Sequence, residues 1–68
     1  MKILFVSHSL TQTVVTVSGL ELGDHGYEIH LYNHDNGYTE CWAEAIDFED
    51  AAFYHKQLCM KCGIKTNM

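Results

Sequence analysis

The sequence predicts an α+β fold: an antiparallel meander of four strands, three at the least, with one C-terminal helix packed on one face. Three observations carry that expectation. Short runs rich in β-branched and aromatic residues, with apolar and polar positions alternating, fill the chain as far as residue 46. Asn36-Gly37, a strong hairpin signal, separates two of these runs. After Asp47 the apolar spacing changes from two residues to 3.6.

The elements follow in order. "KILFVSH" (about 2–8) reads as the first strand, and "LTQT" (10–13) as a turn. The second strand, about 13–22, is rich in Val and Thr, whose branched side chains suit a pleated surface. "GDHG" (23–26) is a turn, with glycine on either side of Asp24-His25. "YEIHLYN" (27–33) and "YTECWAEAI" (38–46) are the third and fourth strands, joined at Asn36-Gly37. The helix spans about 48–62. Asp47 is its N-cap, with Asp50 three positions on, and early acids and late lysines suit its dipole. Phe48, Ala51, Ala52, His55, Leu58, Cys59 and Cys62 form its apolar stripe. Gly63 supplies a left-handed C-terminal stop, and Ile64 can fold back against the helix.

Composition bounds the function. A chain of 68 residues is expected to form a single small domain, 1–68, and 47% hydrophobic residues exceed what a disordered chain carries. No apolar run reaches the length of a membrane span, and no signal-peptide core follows Lys2, so the expected home is the cytoplasm. The formal charge is −5, and all nine acidic residues lie between Glu21 and Asp50. The four basic residues, Lys2, Lys56, Lys61 and Lys65, lie outside that stretch. Nucleic-acid binding requires cations that neutralise phosphates. An acidic middle argues against nucleic acid or an anionic membrane and for a basic protein partner. Three cysteines are an odd number, which fits reduced thiols better than a disulfide framework.

Strict alternation predicts the sidedness of the sheet. In strand 38–46 one face carries Thr39, Cys41, Ala43 and Ala45, and the other Tyr38, Glu40, Trp42, Glu44 and Ile46. Small residues suit a face beneath a helix and two carboxylates do not. Cys41, Ala43 and Ala45 are therefore expected under the helix with Ile29 and Leu31. Glu28, His30, Tyr32 and His34 are expected on the open face with Glu40, Trp42 and Glu44. A tryptophan between two carboxylates on that face reads as a binding anchor. The plainer readings are a cross-strand aromatic pair and an inverted strand with Trp42 in the core.

Two other constellations compete. Cys59-Met-Lys-Cys62-Gly63 has the spacing of half a zinc knuckle, and His55, Cys59 and Cys62 share a helix face toward which Cys41 should point. A zinc module using Cys41, His55, Cys59 and Cys62 is thus the alternative reading, against buried thiols that pack as small hydrophobes. His25, His30 and His34 lack a converging third ligand and read as solvated side chains. No nucleophile–base pairing can be argued from spacing, and Glu40 and Glu44 alone do not make a catalytic pair.

An acidic middle, a strand meander and a following "FEDAAFYHKQL" helix in so short a chain resemble the small acidic proteins that phages carry against host defence, anti-CRISPR and anti-restriction inhibitors among them. The resemblance is one of class and transfers no individual residue. It implies a non-enzymatic inhibitor whose acids stand in for phosphates on a basic, nucleic-acid-binding surface of a defence enzyme in the host cytoplasm. The expectation from sequence is therefore an inhibitor or adaptor that binds a basic protein surface through Glu28, Tyr32, Glu40, Trp42 and Glu44, with Asp47, Glu49 and Asp50 extending the acidic rim. No cofactor is expected. Pairing of an exposed sheet edge offers a route to a homodimer.

Overall fold

The computed structural model describes residues 2–18 and 26–68. Four antiparallel strands lie in sequence order, β1 (Lys2–His8), β2 (Gln12–Ser18), β3 (Tyr27–Asn33) and β4 (Thr39–Ala45). One helix, α1 (Phe48–Cys62), packs on one face of the sheet against β2, β3 and β4. The architecture is the α+β meander with a single C-terminal helix that the residue pattern predicts. The expected extension of the second strand to residue 22 and the turn at 23–26 fall wholly or mostly outside the described residues.

The core lies between sheet and helix. Val14 of β2, Ile29 of β3 and Ala45 of β4 meet Ala51, Leu58 and Cys59 of α1, with Ile64 closing the lower end. Small residues at Ala45 and Ala51 let the backbones approach. The helix begins where the chain can satisfy its own first amides: the Asp47 carboxylate accepts from the Asp50 amide at 2.8 Å. It ends at Gly63, whose φ of 68° is open to glycine and strained for other residues. The Ile64 amide then donates to the Cys59 carbonyl at 2.8 Å, and the Ile64 side chain turns into the core.

The β3–β4 hairpin is longer than the Asn-Gly dipeptide alone would make it. The Asn33 amide donates to the Tyr38 carbonyl at 2.7 Å, so the loop comprises residues 34–37. Gly37 takes the left-handed position at φ 70°, and the Asn36 side chain accepts from the Tyr38 amide at 2.8 Å. The dipeptide thus closes a four-residue loop instead of forming a two-residue turn. His34 ties this loop to the one between β1 and β2. Its Nδ1 lies 3.1 Å from the Leu10 carbonyl, which can only accept, so Nδ1 carries the proton. Nε2 lies 2.6 Å from the Thr13 hydroxyl.

Two β-bulges set the sidedness of the sheet. In β1, Ile3 pairs with Val17 and Phe5 with Thr16, leaving Leu4 without a partner. In β4, Ala43 pairs with Ile29 and Cys41 with His30, leaving Trp42 as the extra residue. Each bulge interrupts the two-residue alternation. The second overturns the expected division of β4.

Candidate functional site

The bulge at Trp42 rearranges the residues singled out from sequence. C-terminal to it, alternation holds: Ala43 and Ala45 face the helix, while Glu44 lies opposite Glu28 on the open face. N-terminal to it, the faces are exchanged. Cys41 pairs with His30 and stands exposed on the open face, not under the helix. Glu40 pairs with Leu31 and so lies on the helix side, at the uncovered end of the strand. Trp42 is half-buried, packs against the core, and meets the Tyr54 ring edge-on at 6.4 Å. The expectation that Trp42 shares an open face with Tyr32, Glu40 and Glu44 is corrected accordingly. The physical reason is the extra residue, which lets neighbouring Ala43 and Trp42 both turn toward the helix.

The open face therefore carries a different cluster. Glu28, His30 and Cys41 each offer one donor atom, and these atoms all lie within 4.8 Å of one another. His30 Nε2–H donates to Glu28 Oε1 at 3.0 Å, with both side chains 29% exposed. The Cys41 thiol donates to the Ala43 carbonyl at 3.6 Å. Partial burial, then the nearby Glu28 and Glu44 carboxylates, push its pKa up from the ordinary thiol value, and the hydrogen bond to Ala43 works against them. Tyr32 is on the same face, two pairs further along, opposite Thr39.

The four-ligand set Cys41, His55, Cys59 and Cys62 does not assemble. Cys41 is on the far side of the sheet, and His55 spends both ring nitrogens elsewhere. His55 is fully buried. Its Nε2 lies 2.8 Å from Ser7 Oγ and its Nδ1 2.8 Å from Thr16 Oγ1. Ser7 Oγ also accepts from the Asn67 amide at 2.8 Å, which fastens the C-terminal segment to β1. A neutral imidazole has one donor and one acceptor, and the two hydroxyls satisfy both. Burial lowers the His55 pKa below the ordinary imidazole value, so the ring is held neutral. Spacing did not reveal this Ser–His contact. Ser7 and His55 are both enclosed, so the pair is a core hydrogen-bond network with no substrate access. Cys59 is buried in the core, and Cys62 is half-buried with its pKa raised by desolvation and then by Cys59. A shallow, open cavity of about 340 Å³ beside this network is lined by His8, Lys65, Thr66 and Asn67.

Four further acidic residues lie close together in sequence at the junction of β4 and α1. Residues 44–53 run from the end of β4 into α1 and carry Glu44, Asp47, Glu49 and Asp50, all exposed. Interleaved with them are Ile46, 85% exposed, Phe53, 54% exposed, and Phe48, whose ring touches Phe5 and Tyr27 yet remains half uncovered. Asp47 has a local duty as the helix cap, and Glu49 and Asp50 favour the positive end of the helix. Among the described residues the one ion pair is Glu28–His30, so none of these four acids meets a lysine. Compared with known proteins, the chain matches no protein family, no curated protein and no solved structure. No helix among the described residues is long and apolar enough to cross a membrane.

Proposed function

We propose that this protein acts by binding, as an inhibitor or adaptor that docks on a basic protein surface through the flank formed by the end of β4 and the start of α1. The observation that carries the reading is segment 44–53, in which four exposed acids alternate with three exposed large apolar side chains and face no internal cation. Exposed apolar groups supply contact area, and aromatic residues are favoured anchors. The carboxylates steer a cationic partner and exclude anionic ones. Trp42, half-buried against Tyr54, adds its uncovered part to this flank, with Glu40 further up the strand. Glu28 stands opposite Glu44 on the open face with Tyr32 further along it, away from the helix start, and neither is needed for the contact. A surface that presents carboxylates where a nucleic acid presents phosphates suits a nucleic-acid-binding protein as target.

The test is a comparative capture from nuclease-treated bacterial extract. The bait is the intact chain, beside a variant carrying Glu44→Gln, Asp47→Asn, Glu49→Gln and Asp50→Asn. Asparagine at position 47 preserves the cap, so the variant keeps its fold while losing four charges. The intact chain is expected to retain a basic protein that the variant loses and that added DNA displaces. Equal retention by both baits, or no retention by either, overturns the reading.

A further inference from the structure

We propose that Glu28, His30 and Cys41 form a binding site for a borderline divalent cation, Zn2+ in the first place, on the open face of the sheet. Nothing in the proposed docking flank requires this site, and it lies on the opposite face from the helix.

Three independent features of the geometry converge there. The first is the donor set. One imidazole nitrogen, one thiolate sulfur and one carboxylate oxygen are the three ligand types that zinc takes, and three protein ligands leave a fourth position for water. A thiolate disfavours Mg2+ and Ca2+, which prefer oxygen.

The second is the distance. His30 Nε2 and Glu28 Oε1 are 3.0 Å apart, held by a hydrogen bond, and the Cys41 sulfur is within 4.8 Å of both. Two ligands bound tetrahedrally at about 2.0–2.2 Å lie about 3.4 Å apart. Opening the His30–Glu28 pair by a few tenths of an ångström admits the ion, and the Cys41 side chain closes the third position by rotating about its own bond. On ligation the Cys41 thiol gives its proton to solvent, the His30 proton passes from Nε2 to Nδ1 by way of solvent so that the neutral ring ligates through Nε2, and no electron is transferred.

The third is the sheet itself. Glu28 and Glu44 stand directly opposite each other on β3 and β4. Like charges at paired positions repel, and a cation bound at Glu28 relieves that repulsion. The neighbouring pair is His30 and Cys41, and the bulge at Trp42 takes up the extra residue that would otherwise turn Cys41 inward. Bulges recur next to functional sites because they re-aim one side chain without disturbing the strand beyond it. This one brings a thiol from the position where a regular strand would bury it to the side of a histidine and a carboxylate.

The experiment titrates the reduced, full-length protein with Co2+ in a non-coordinating buffer and follows the thiolate-to-cobalt charge-transfer absorption. One Co2+ per chain is expected, with the band abolished by added Zn2+. Cys41→Ser should remove the band, and His30→Ala and Glu28→Gln should each weaken binding by more than about tenfold, since outer-sphere partners alone account for that much. These three side chains are exposed or partly exposed, so the variants keep the far-ultraviolet circular dichroism of the parent. Cys62→Ser should bind as the parent does. Absence of a band in the parent overturns the proposal. So does a band that survives Cys41→Ser or disappears in Cys62→Ser.

Discussion

Trp42 and His55 show how much a single side chain can depend on partners distant in sequence. Trp42 touches the core and Tyr54, so truncating it removes packing. Complete burial would make Trp→Ala cost about 3–5 kcal/mol; at half burial we expect Trp42→Ala to cost about 2 kcal/mol, read as a lower urea midpoint with unchanged slope. His55 makes a prediction about pH. Its folded pKa lies below the unfolded value of about 6.5. Below that pH the unfolded chain takes up a proton that the folded core refuses, so its contribution to stability is complete above pH of about 6.5 and declines as the pH falls. Urea midpoints measured across that window should drop in the parent more than in His55→Gln, which retains hydrogen-bonding groups but does not titrate there. Position 55 was legible from sequence as core, through its place on the apolar stripe. Its hydroxyl partners were not, because Ser7 and Thr16 lie 48 and 39 residues away and only the fold brings them to the ring.

At the scale of the element, the helix is the most self-explanatory part of the chain. Its start and stop are written in local chemistry, Asp47 bonding Asp50 and Gly63 taking a left-handed turn, and the residue types at both ends announce them. Asp47→Ala should cost about 1 kcal/mol by removing the cap. Gly63→Ala should cost about the same because its φ is positive, although open space surrounds the position. Thermal unfolding of the two single variants and the double should give nearly additive losses, as the sites are at opposite ends of α1. Strand β4 is the contrasting case. Its existence and partner were legible, yet the sides of Cys41, Trp42 and Glu40 were not. Counting by twos assumes an unbroken ladder, and no glycine or proline marks the bulge. Trp42 is as plausible facing a helix as facing a partner, so residue type could not reveal the error. The Glu28–His30–Cys41 cluster was hidden for the same reason.

For the molecule as a whole, charge and edges dominate. The described acidic residues lie on the sheet, in the β3–β4 loop and at the helix start, and among the described residues no lysine pairs with them. Self-repulsion of this kind is screened by salt. Raising sodium chloride from low concentration to about 0.15 M should stabilise the protein by about 0.5 kcal/mol, a few degrees in melting temperature for a chain of this length. Calorimetry at two ionic strengths reads it directly, and a melting point that falls with salt would contradict it. The two edge strands, β1 and β4, are also the two that carry bulges, at Leu4 and Trp42. Bulged edges resist the continuous pairing that joins sheets of separate chains, which accords with the proposal that side chains of the flank, more than backbone, meet the partner.

The bulge has a further consequence, for comparison between chains. Trp42 is a residue of length rather than of register: with it removed, Ala43 would still meet Ile29 and Cys41 would still meet His30, in an uninterrupted ladder. A relative one residue shorter in this strand would thus present the same two faces, provided the gap is placed at position 42. Placed anywhere else in the strand, the same gap exchanges inside for outside over the intervening residues, and a binding face is assigned to the wrong side of the sheet.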